Sequence, residues 1–140
     1  MQNYQNHKRY VLFYHGFTLA AILAVLIGSV INLLHASKDG IYSASLLVVV
    51  TLILVSLFVY VRQFPLRVQD RAIRAEENLR HFILTGKPLD QQLTIKQIIA
   101  LRYAGDAELP GLAKRAVDEA LTNDEIKREI KSWRADHYRV

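Results

Sequence analysis

Hydrophobic and polar positions are segregated along this chain rather than interleaved. Tyr10 to Leu34 is one apolar run in which only His15 can carry charge near neutral pH. As a helix rising ~1.5 Å per residue it reaches roughly 37 Å, enough to cross a hydrocarbon core of about 30 Å with tilt. Ile41 to Val61 has no charge at all and reaches roughly 31 Å. Its centre, Leu47-Val48-Val49-Val50, would suit a buried strand in water, but length and lack of alternation predict a spanning helix. The link His35-Ala36-Ser37-Lys38-Asp39-Gly40 is short and polar. Two helices joined so closely are antiparallel neighbours, and Gly40 supplies the backbone freedom for the reversal.

Beyond Arg62 the pattern changes. Pro65 is expected to end the second span, and an amphipathic helix from about Leu66 to Leu84 follows, stopped by Gly86 and Pro88. Val68, Ala72, Ala75, Leu79 and Phe82 recur at four, three, four, three, the spacing of a heptad seam. Two heptads fit packing on the following domain as well as dimerisation. Three shorter helices are predicted next. Thr94 with Gln97 and Thr122 with Glu125 are capping boxes. Between them Asp106 is expected to cap a helix with Pro110 near its first turn. Leu109, Leu112, Ala113, Ala116, Val117, Ala120 and Leu121 form that helix's apolar side. Ile126, Ile130 and Trp133 share a face of the last helix, so the three should close a small bundle around Trp133.

Within the first span, Gly16, Ala20, Ala24, Gly28 and Asn32 fall every four residues and therefore on one face. In lipid, close backbone approach along such a groove gains dispersion and weak polar contacts, and Asn32 can add an interhelical hydrogen bond. The groove is expected to receive the second span, another copy, or another membrane protein. Ser43, Ser45, Thr51 and Ser56 of the second span are expected to bond to their own helix backbone. His15, the ionisable group within a span, is a functional suspect by default. Haem ligation is its sharpest reading, but His35 lies about 30 Å along the helix. A bis-histidine pair therefore needs a homodimer sharing His15, and a role as an anchor or partner contact near the interface is the favoured reading.

Charge adds an orientation. Of 18 Lys and Arg residues, 15 lie from Arg62 onward, and Lys8 and Arg9 precede the first span while the link offers only Lys38 beside Asp39. The positive-inside rule then puts both termini in the cytoplasm. Tyr10, Phe13, Tyr14, Tyr60 and Phe64 mark that interface and Tyr42 the other. Lys8, Arg9, Arg62, Arg67, Arg71 and Arg74 are candidate headgroup contacts, each contributing about 1 kcal/mol near an anionic surface, diluted by Asp70, Glu76 and Glu77. The net charge of +5 follows from this topology without a polyanionic partner. Nucleic-acid binding is not expected, because the second short helix opens acidic and interrupted, Asp106-Ala107-Glu108-Leu109-Pro110-Gly111. The first apolar run is too long for a cleaved leader. With no cysteine, disulfides, thiolate metal sites and cysteine nucleophiles are excluded. No phosphate loop, zinc-type histidine pair or nucleophile motif appears, and Asp136 beside His137 reads as a charged tail rather than a proton relay.

The segments Leu66-Arg67-Val68-Gln69-Asp70-Arg71-Ala72-Ile73-Arg74, Phe82-Ile83-Leu84-Thr85-Gly86-Lys87, Gln97-Ile98-Ile99-Ala100-Leu101-Arg102-Tyr103-Ala104 and Glu108-Leu109-Pro110, with the ending Ile130 to Val140, resemble a family of uncharacterised bacterial two-span membrane proteins. The resemblance implies an architecture and no activity. The reading is an all-α chain, a two-helix transmembrane hairpin with an amphipathic juxtamembrane helix and a small three-helix cytoplasmic bundle. Its divisions are a tail over 1–9, spans over 10–34 and 41–61, a turn over 35–40, a juxtamembrane helix over 62–87 and a helical domain over 88–140. The expected role is a non-enzymatic accessory or scaffold protein of the bacterial inner membrane, partnered by lipids and by another membrane protein or its own copies. No cofactor, nucleic acid or small-molecule substrate is expected. The alternatives are an oligomeric cofactor-binding or transport-associated protein, and anionic-lipid binding through the arginines. Trp133, Asp136 and Arg139 form a candidate docking tail that Asp136 returns to the membrane-proximal arginines, against the plainer reading of a core tryptophan and solvated charges.

Overall fold

Long runs of helix-compatible residues with few breakers favour helix, and among the described residues every regular element is helical. The computed structural model describes Asn3, Tyr4 and residues 11–136. Among them a π-helical turn, Phe13–Thr18, leads into α1 (Leu19–Leu34), followed by α2 (Ile41–Thr85), α3 (Ile95–Leu101), α4 (Leu109–Asp118) and α5 (Asn123–Glu129). Phe13–Leu34 and Ile41–Thr85 are long and apolar enough to cross a membrane. The chain divides into two compact units, Arg9–Phe64 and Met1–Lys8 with Pro65–Val140.

The expected break at Pro65 does not occur, and α2 runs through it. Proline there removes one hydrogen bond to the carbonyl four residues earlier, and strong helix on both sides outweighs that single loss. Pro65 still marks the border between the units.

In the Arg9–Phe64 unit, covered positions form one stripe per helix. They include Tyr14, Thr18, Ile22, Leu26, Ser29 and Leu33 on the first, and Ala44, Val48, Thr51, Val55 and Phe58 on the second. Ala44 and Thr51 are 2% and 1% exposed, so the seam closes on small side chains. The wide π turn, in which the Thr18 hydroxyl reaches back five residues to the Phe13 carbonyl (3.2 Å), helps carry Tyr14 onto that seam. There its ring stacks on Phe58 at 4.4 Å and its hydroxyl donates to the Phe58 carbonyl oxygen. Ser43, Ser45, Thr51 and Ser56 donate to their own helix backbone at 2.7–3.0 Å, as expected.

The second unit has a true hydrophobic core. Leu93, Ile98, Leu101, Tyr103, Leu109 and Ile126 lie at its centre, each 3% exposed or less. Both capping boxes form: Thr94 and Gln97 open α3, Thr122 and Glu125 open α5. The Gln97 amide also donates to the Ala116 and Leu121 carbonyls (3.1 and 2.9 Å), tying α3 to the end of α4.

Three expectations are corrected here. Glu108, not Asp106, occupies the cap position of α4, without a side-chain cap bond. Ala120 lies beyond α4 in a left-handed conformation (φ 50°), where the Leu121 amide closes on the Ala116 carbonyl at 3.1 Å. Trp133 is not on α5, which ends when Ile130 turns extended. It lies on an extended segment bridged to Ala104, half-buried against Tyr103 with ring centres 5.1 Å apart. The bundle therefore closes around Tyr103 and its aliphatic neighbours, with Trp133 at the flank.

Candidate functional site: uncovered helix faces and a buried ion network

A residue two positions along a helix points about 200° away. The row Gly16, Ala20, Ala24, Gly28, Asn32 is offset by two from Tyr14, Thr18, Ile22 and Leu26, so it lies opposite the hairpin seam. All five are exposed. A side chain added at Gly28 would meet nothing within 4 Å, and one at Gly16 only Leu12 of the same segment at 3.8 Å. The second span does not use this groove; it packs on the opposite side of α1.

The heptad positions of α2 behave in the same way. Val68, Leu79 and Phe82 are 67%, 60% and 51% exposed, and Ala72 and Ala75 are exposed beside them. The domain packs instead on the face carrying Ile73, Glu77 and Arg80. That face lies about 150° around the helix from the seam.

α2 is held to its domain by Ile73, which joins the hydrophobic core, and by an ionic network. Glu77 and Arg80 have side chains 7% and 12% exposed and pair at 2.9 Å. Arg80 also donates to Asp106 at 2.7 Å and to the Ala104 carbonyl at 2.7 Å, which explains why Asp106 does not cap α4. Arg134 lies 3.7 Å from the other Glu77 oxygen. Sequence reading missed this network. Glu77–Arg80 spacing was its only local signal, and Asp106 is remote in the chain.

The tail docks on its own bundle. Asp136 pairs with Arg102 at 3.2 Å, not with the arginines of α2's outer faces, while Arg102 donates to the Tyr103 hydroxyl at 2.6 Å. The Arg134 amide donates to the Tyr103 carbonyl (2.8 Å) and the Gly105 amide to the Ser132 carbonyl (2.9 Å). A Cβ at Gly105 would come within 3.1 Å of the Ser132 hydroxyl and 3.2 Å of its carbonyl, so a side chain there would press the tail outward by a few tenths of an ångström. The Glu108 carboxylate accepts from the amides of Gly105, Lys131 and Ser132 at 3.0–3.2 Å. Arg102 also borders a cleft of about 310 Å³ with Glu76, Glu77, Arg134 and Asp136. Three carboxylates face two guanidiniums there, a balance that selects no ligand of either sign.

Among the basic candidates, Arg67 and Arg71 are exposed and Arg62 is half-buried. Arg74 donates to the Leu93 carbonyl at 3.3 Å and so is turned partly toward its own domain. Lys8, Arg9 and Arg139 lie outside the described residues, as do Tyr10 and His137. The rings of His15 and His35 each donate to a carbonyl of their own helix, Val11 at 3.0 Å and Ile31 at 2.9 Å. Among the described residues no group of three or more His, Asp or Glu gathers in a metal-binding arrangement. On the surface, Arg115 holds Glu119 at 2.8 Å and Glu129 at 2.8 Å, and its hydrogen bond lowers the Glu119 carboxyl below the ordinary range. The amide and then the hydroxyl of Thr122 lower Glu125 likewise.

Fold and geometry thus define an all-helical chain with two apolar helices of membrane-crossing length and a small polar domain. The chain belongs to a family of unknown function (DUF6526), whose model matches residues 1–140. No curated protein and no solved structure matches it.

Proposed function

We propose that this chain is a non-enzymatic accessory or scaffold protein of the bacterial inner membrane, anchored by its hairpin and acting through helix packing. One observation carries the reading: the helix faces patterned for close packing are those that internal packing leaves open. In lipid a small-residue groove gains its contacts only from another helix. In this reading both termini lie in the cytoplasm. Supporting this, Arg128 of α5 lies over the Tyr4 ring at 5.6 Å, bringing the N-terminal tail to the C-terminal domain, and the positive charge flanks the spans on that side.

Gentle extraction from native membranes, followed by native mass measurement, tests the reading. A defined oligomer or a retained protein is expected. Gly16→Leu with Ala20→Leu should weaken that assembly several-fold without preventing insertion, because both positions face away from the hairpin seam. A bare monomer in native-like lipid would sink the proposal.

A further inference from the structure

The uncovered seam of α2 has features that name its occupant. Val68, Ala75 and Phe82 fit heptad position d and Ala72 and Leu79 position a, which makes Arg71 a g residue and Glu76 an e residue. In a parallel pair of helices, g of one chain faces e of the next heptad on the other. Arg71 would therefore meet Glu76 of the second copy, twice by symmetry. An antiparallel pair sets g against g and e against e, and loses this match. Both residues are exposed and neither has an ion-pair partner among the described residues. Their own helix offers little: three and four residues from Arg71 stand Arg67, Val68, Arg74 and Ala75. The one cation so spaced from Glu76, Arg80, is engaged by Glu77 and Asp106.

We infer that this face pairs with the same face of a second copy, as a short parallel coiled coil. The inference deepens the scaffold reading and rests on it, since two copies inserted in one membrane in one sense present α2 in parallel. From Val68 to Leu79 the apolar stripe keeps to a and d and is flanked by Arg71 and Glu76, widening only at Ile83. That is the pattern of a helix partner, whereas a helix lying on lipid shows a broader apolar face throughout. Two heptads bind weakly between free molecules. Confinement to a shared membrane raises the effective concentration and compensates for the short seam.

The full chain in lipid vesicles offers a clean test, because it has no cysteine of its own. Val68→Cys, Ala75→Cys and Phe82→Cys should each give a disulfide-linked dimer under mild oxidation, while Arg67→Cys, on another side of the helix, should not. Added to Ala75→Cys, Glu76→Arg should lower the cross-linked fraction several-fold, and Arg71→Glu with Glu76→Arg should restore it. Equal cross-linking at Arg67→Cys, or indifference to the charge exchange, would overturn the parallel seam. Absence of cross-links with seam cysteines shielded from a water-soluble maleimide would assign the face to lipid and also overturn it. If seam cysteines fail while native mass still finds an assembly, only this inference falls. A bare monomer removes the scaffold reading as well.

Discussion

The two units of this chain are both helical, yet they are held together by different means. The hairpin unit closes along a single stripe in which Ala44, Ser29 and Thr51 are the most covered residues, and the Ser29 and Thr51 hydroxyls are spent on their own helices. The Pro65–Val140 region buries Tyr103, Leu101, Leu109 and Ile126 almost completely and adds a charge network under α2. One depends on close approach of small side chains, the other on apolar volume removed from water. The contrast shows that helical periodicity alone does not reveal what a face is for. In each unit the row most regular in sequence is not the row used internally.

The contrast can be broken most sharply at Glu77. Glu77→Ala leaves Arg80 buried with a lost partner and should destabilise the polar domain by about 3–5 kcal/mol. Denaturant unfolding followed by the emission of Trp133, the sole tryptophan, measures it. Little change would mean that Asp106 alone satisfies Arg80. Leu101→Ala, at a site with no exposure, should remove about 2–5 kcal/mol through the cavity it leaves. The same probe reports this loss, and the hairpin's helicity should persist. In the hairpin, Thr51→Leu should overpack the seam and cost about 1–3 kcal/mol, read as reduced resistance to unfolding in detergent. An equal effect from Ala24→Leu in dilute detergent would contradict the two-sided description of α1. At the small end, Ala120→Gly relieves a left-handed alanine and should add up to about 1 kcal/mol to the domain.

A pH experiment sharpens the local picture. The folded Glu125 carboxyl is depressed, so its contribution is present above the ordinary glutamate range and is lost as pH falls through the depressed value. Glu125→Gln keeps an acceptor for the cap but removes the titratable charge. Its thermal stability should therefore lose part of the decline that the unchanged protein shows on acidification. Identical acid profiles would show that the Thr122 cap does not sense the charge.

What sequence made legible was whatever depends on near neighbours. The capping boxes at Thr94 and Thr122 span three residues, and the apolar runs identify themselves by length and lack of charge. Less legible was anything set by competition. Pro65 carried a helix-ending signal that the flanking helix overrode. Asp106 carried a capping signal that Arg80 diverted. The row from Gly16 to Asn32 and the stripe from Thr18 to Leu33 are both helical faces. The stripe that carries Tyr14, stacked on Phe58, faces the second helix, and no near-neighbour pattern marks it. Trp133 fits a helical spacing with Ile126 and Ile130, but the turn to extended backbone at Ile130 ends that spacing.

Glu108 has a consequence for how the domain comes apart. By gathering the amides of Gly105, Lys131 and Ser132, one carboxylate fastens together the two ends of the stretch containing α4 and α5. That stretch becomes a closed circuit, and its closure entropy is lost once for both helices rather than separately for each. Opening the clasp therefore exposes both helices in a single event, so their amides should exchange with solvent as one cooperative group.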